Sequence, residues 1–126
     1  VRRTTRDGPQ AVAAATIVAA VAGGGGVTYY RAGGALFFEL DVLGEFVDSN
    51  GALFIAVSRA AAIRRDAALA IEYEVGEGGA VQRTVLVGIS RDERMRIPIS
   101  RRYWASVSRV IAGVPRRRAD LQALIG

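Results

Sequence analysis

Between Leu69 and Ile99 apolar side chains fall on every second position, interrupted by one glycine-rich turn, and that period admits β-strands and little else. Leu69, Ile71, Tyr73 and Val75 alternate with Ala70, Glu72 and Glu74. Gly76-Glu77-Gly78-Gly79 supplies a turn, and Val81, Val85, Val87 and Ile89 form the partner strand. Glu72 or Glu74 would then meet Arg83 across the hairpin. Met95, Ile97 and Ile99 alternate with Arg94, Arg96 and Pro98. Proline cannot donate to a ladder, so this strand belongs at an edge.

The same period begins earlier, at Leu36. Phe38, Leu40, Val42 and Phe46 would form one buried face, with Glu39, Asp41 and Glu45 on the wet one. Asp48-Ser49-Asn50-Gly51 predicts a hairpin, because Asn and Gly both tolerate positive φ. The return strand, Ala52 to Ser58, is apolar almost throughout and should be central or covered on both faces. Arg59 to Asp66 reads as a connector with one helical turn through Ala60 to Ile63.

After Ser100, a suitable N-cap, the period lengthens. Tyr103, Trp104, Val107, Val110 and Ile111 repeat at helical spacing, and Gly113 ends that helix. Pro115 suits the first turn of a second helix, with Leu121, Leu124 and Ile125 as its apolar stripe. The expected fold is therefore α+β. It has an antiparallel sheet of about five strands (two hairpins plus an edge strand), a short N-terminal apolar segment and two C-terminal helices. All 126 residues suit a single domain. Within it, 1–35 would be a basic Ala/Gly-rich arm, 36–100 the sheet and 101–126 a helical C-terminus.

The arm starts with Arg2, Arg3 and Arg6 and continues as an apolar run over 11–27. A basic start, an apolar middle and Ala20-Val21-Ala22 have the layout of a secretory signal. Alanine and glycine, however, are nearly neutral in membrane transfer. The run suits a short buried helix or strand over 11–22, with Gly23 to Gly26 as a flexible joint. A membrane-anchored accessory domain held by 11–27 is the weaker alternative.

Composition removes whole classes of chemistry. The chain has no cysteine, no histidine and no lysine, so all seventeen cations are arginine. Thiol chemistry, thiolate or imidazole metal sites, a Schiff base and a Walker-type lysine are all excluded. The carboxylate pairs Glu39/Asp41 and Glu72/Glu74 could share a strand face, but that is also how a solvated sheet face looks. We assign no catalytic, cofactor-binding or metal-binding residue and read the chain as non-enzymatic.

What composition does supply is a charge split. Residues 1–35 carry net +3, 36–80 net −5 and 81–126 net +7. An acidic face and a basic face can register copies of the chain head to tail. The order of elements is similar to that of the coat proteins of single-stranded RNA phages, a likeness of architecture carried by no motif. The leading expectation is therefore a self-assembling structural subunit of a virus or phage particle. It would partner copies of itself or other particle subunits, in a virion or the cytoplasm rather than secreted. Glu39, Asp41 and Glu45 would face Arg101, Arg102 and Trp104 of a neighbour. The alternative is an arginine-rich nucleic-acid-binding domain using Arg101, Arg102, Arg116, Arg117 and Arg118 on phosphates.

Overall fold

The computed structural model describes residues 1–119. Mixed α+β architecture holds, but the strands are more numerous than expected, and among the described residues all but one pairing is antiparallel. A hairpin, β1 (Arg2–Thr5) and β2 (Gly8–Ala11), opens the chain. Then come β3 (Ile17–Gly23), β4 (Gly26–Arg31), β5 (Leu36–Glu39) and helix α1 (Leu43–Ser49). β6 (Phe54–Ser58) and β7 (Ala61–Arg64) complete a five-stranded sheet of order β5-β4-β3-β7-β6. β8 (Ala68–Val75), β9 (Val81–Gly88), β10 (Arg94–Ile99), helix α2 (Trp104–Val110) and β11 (Arg116–Arg118) follow. The second sheet has the order β10-β9-β8-β11.

The hairpin β8–β9 and the edge strand β10 stand where the alternation placed them, with Pro98 on the edge. Upstream of these the expectations need correction. The first 35 residues are no arm; they contain four strands, two of them in the middle of a sheet. Gly23 to Gly26 is a tight turn rather than a loose joint. Gly24 and Gly25 take φ of 62° and 84°, and Gly23 pairs with Gly26.

Residues 36–46 do not form one strand. β5 stops at Glu39, and its faces are slipped by one residue: Phe37 is buried, while Phe38, Leu40 and Val42 are exposed. Leu43 and Phe46 then share one helical face, because i and i+3 coincide on α1. Asn50-Gly51 ends this helix instead of turning a hairpin. The Asn50 side-chain amide donates to the Phe46 carbonyl at 2.8 Å. β6 pairs not with β5 but with β7, which forms where a helical turn was expected. Both its faces are covered, Phe54 on one side and Ile55 with Val57 on the other.

Two cores result, one on each side of the five-stranded sheet. Val18, Ile63, Ile71, Val85, Val87 and Val107 fill the space between the two sheets and α2. On the opposite face Tyr29, Phe37, Phe46 and Phe54 pack beneath α1 and the first hairpin. The Tyr29 ring meets Phe37 at a centroid separation of 5.1 Å and Phe46 at 5.2 Å, and Phe46 meets Phe54 at 4.8 Å.

Gly26 sets how closely β5 approaches β4. A Cβ there would strike the Glu39 carbonyl oxygen and come within 2.6 Å of the Phe38 ring, whereas at Gly23 it would meet nothing within 4 Å. Gly26→Ala should therefore cost about 1–3 kcal/mol. Gly23→Ala, its partner across the turn, should cost less than about 1 kcal/mol. Urea denaturation of both variants tests this, and equal costs would contradict the close approach.

At the carboxyl end, Arg101–Tyr103 form a short 3₁₀ turn that leads into α2, and the Ser100 hydroxyl makes no cap. Where the second helix was expected to start, Arg116–Arg118 instead form β11, parallel to β8. The Ile71 N–H donates to the Pro115 carbonyl at 2.8 Å as the strand begins. The stripe Leu121, Leu124 and Ile125 lies outside the described residues. None of the described helices is long and apolar enough to cross a membrane, and the run over 11–27 is mainly the β3–β4 hairpin.

Candidate nucleic-acid interface

Alternation along β11 decides where its three arginines go. Arg116 and Arg118 register with Ile71 and Tyr73, whereas Arg117 registers with Glu72 on the other face. The same register places Arg83 opposite Tyr73. Arg83 therefore cannot reach Glu72 or Glu74 across the hairpin, as the sequence suggested. It turns to Trp104, its guanidinium carbon 4.3 Å from the indole centroid. Arg116 approaches the same indole at 5.3 Å. Its Nη also donates to the Ser108 hydroxyl at 3.0 Å. These three side chains, with Tyr73, Val75 and Val81, line a cavity of ≈ 310 Å³.

Neither Arg83 nor Arg116 has a carboxylate partner among the described residues. Arg101 and Arg102 are exposed in the turn that leads directly into Trp104. Arg109 is exposed in the last turn of α2. The structure thus brings Arg83 and Arg116 onto one half-buried indole. Sequence reasoning missed Arg83 because it is a single cation within a strand, with no basic run to mark it. Its register with Tyr73 was the available signal.

Arg117 has a different occupation. Its Nε lies 3.3 Å from Glu72 Oε2, and Arg96 Nε lies 3.0 Å from Glu72 Oε1. Glu72 is only 4% exposed, and its one carboxylate pairs with both arginines, which leaves the trio at net +1 and ties β8 to β10 and β11. Arg118 is half-buried and engaged within the protein.

The acidic residues read as an oligomer interface are partly occupied within the chain. Glu39 accepts from the Thr4 backbone N–H, and from the Thr4 hydroxyl at 3.1 Å, which ties β1 to β5. Asp41 accepts from the Tyr29 hydroxyl at 2.5 Å. Burial, then the hydrogen bond and charge of Asp41 and the charge of Glu39, push the Tyr29 phenol well above its ordinary value. Glu45 is exposed in the first turn of α1. Among the described residues no group of three His, Cys, Asp or Glu could hold a metal ion.

No protein-family model matches the chain, and no curated protein matches it. One solved structure does, the LytTr DNA-binding domain of a Bacillus cereus protein. It has a TM-score of 0.68 and 18% sequence identity, over 88% of this chain and 94% of that one. At that identity the likeness establishes a shared fold. Where a virion or phage structural protein was expected, the matching solved domain is a DNA-binding one, which corrects the likeness to a particle subunit. Nothing in the likeness supports self-assembly.

Proposed function

We propose that this chain is a DNA-binding domain that grips the phosphate backbone with arginine. The observation that carries this reading is a fold shared almost end to end with a DNA-binding domain, together with net +7 over residues 81–126. Arginine suits the task, because its planar fork meets two phosphate oxygens at once and it stays charged at any working pH. Arg101 and Arg102, exposed beside Trp104, are the first candidates. Arg116 supplements them from β11. Arg117 contributes less, since Glu72 already holds it, and Arg118, on the same strand face as Arg116, is half-buried and engaged within the protein.

Each phosphate neutralised releases counterions, so log Kd should rise linearly with log salt at about 0.9 per contact. Fluorescence anisotropy on a labelled duplex across a salt series measures that slope directly. Arg101→Ser combined with Arg102→Ser should lower it by about two units and weaken binding about equally on unrelated sequences. A chain that ignores duplex DNA even at low salt would refute the proposal. So would binding whose affinity does not change with salt.

A further inference from the structure

Trp104 is the only tryptophan, and it carries two arginines at once. A core anchor needs no cation on its ring. Two guanidiniums on one indole repel each other, so their approach makes sense where an anion is to sit between or beside them. Stacking also restricts both side chains to few rotamers, so less entropy is lost when they bind a ligand. Arg116 is fixed further by the Ser108 hydroxyl. Two positive charges without a carboxylate partner among the described residues, stacked on one indole and lining one cavity, make a preformed anion seat.

The walls say more about the anion. Tyr73, Val75 and Val81 line the same cavity, Tyr73 opposite Arg83 and Val75 opposite Val81, and Val75 is 51% exposed. A bare phosphate gains nothing from such a wall. A phosphate that carries an apolar neighbour does, and along a DNA strand every phosphate is flanked by deoxyribose. We infer that Arg83, Trp104 and Arg116 form a seat for one phosphate–deoxyribose unit of a bound DNA strand, the guanidiniums holding the phosphate and the Tyr73–Val75–Val81 wall the sugar. The inference rests on the DNA-binding reading and assigns it a contact that the basic runs do not reveal.

The experiment uses the whole chain and a labelled duplex, with anisotropy for affinity and Trp104 emission, excited where tyrosine does not absorb, as a reporter inside the seat. Duplex should change Trp104 emission in step with anisotropy. Arg83→Gln combined with Arg116→Gln should weaken binding at least about tenfold at moderate salt and lower the salt slope by about one unit, the share of one phosphate. Arg83→Lys combined with Arg116→Lys keeps the charge but loses the fork. It should preserve the slope while still weakening binding, and it serves as the test should the Gln pair fail to fold. A duplex that binds through Arg101 and Arg102, with unchanged affinity in both pairs and silent Trp104 emission, overturns the seat and leaves the DNA reading standing. Deoxynucleoside monophosphate that shifts Trp104 emission while the duplex does not bind overturns the strand assignment and the DNA reading together. Inorganic phosphate that matches the monophosphate in that shift overturns the role of the sugar wall.

Discussion

Phe54→Ala should cost about 3–5 kcal/mol, the range for emptying a large aromatic site in a close-packed core. Phe54 is 1% exposed and is one end of the ring series that joins β4, β5, α1 and β6. Its ring meets Phe46 edge-on, at 70° and 4.8 Å, so truncation removes both the buried area and an oriented aromatic pair. The neighbours cannot close the gap easily. Phe46 is fixed by its place on a short helix, and Phe54 itself lies on a strand whose register with β7 is set by four pairs. A domain of ordinary stability, about 5–15 kcal/mol, would lose about a fifth of it or more. Phe38→Ala is the matched control, because Phe38 is exposed and should cost about 1 kcal/mol or less. Urea unfolding of both variants decides the matter. If Phe38→Ala proves the costlier, β5 is turned the other way and the faces assigned here are reversed.

That control bears on why one half of the fold was legible in the sequence and the other was not. Along β8, β9 and β10 apolar residues recur largely at every second position of the sequence, and glycines mark the turn between the first two. The pattern has one simple reading there. Phe37-Phe38 has two apolar residues in a row, so the pleat can turn either one inward. Only the neighbours of β5, Gly26 beneath it and Tyr29 beside it, decide for Phe37. Leu43 and Phe46 suit a helix, yet Glu45 and the residues before them continue a period of two. Seven residues are too short for the helical period to outweigh it.

β3 and β7 were illegible for another reason: both their faces are covered, so nothing alternates. Ala20 and Ala62 sit in one core, and Ala19, Ala61 and Ile63 in the other. A run of alanines in sequence says only that the layers come close. β11 is the extreme case, because Arg116-Arg117-Arg118 has no apolar residue to mark a strand. Its conformation is fixed from outside, by pairing with β8 and by Glu72. The basic runs at 101–102 and 116–118 were visible as charge, but which of those charges stay available was a property of the β8 register.

Glu72 allows a test of that last point, since its two partners should be worth more to the fold than Glu72 itself. The side chains of Arg96 and Arg117 are 65% and 42% exposed, against 4% for the carboxylate. Glu72→Gln removes the charge but leaves two arginines that water can solvate. Its cost should be about 1–2 kcal/mol, the net value of charge-assisted hydrogen bonds lost. Replacing both arginines with methionine keeps the aliphatic stems while leaving a buried carboxylate with no cation. That is the expensive direction, about 3–5 kcal/mol. Adding Glu72→Leu to the methionine pair removes the uncompensated charge and should recover most of the loss. The ordering is diagnostic: any two interacting residues could show coupling, but only a buried charge makes the double methionine variant worse than the triple. Urea midpoints at neutral pH for the four proteins measure it. If the double methionine variant costs no more than Glu72→Gln, Glu72 is solvated in the protein and β11 is held by its backbone pairing alone.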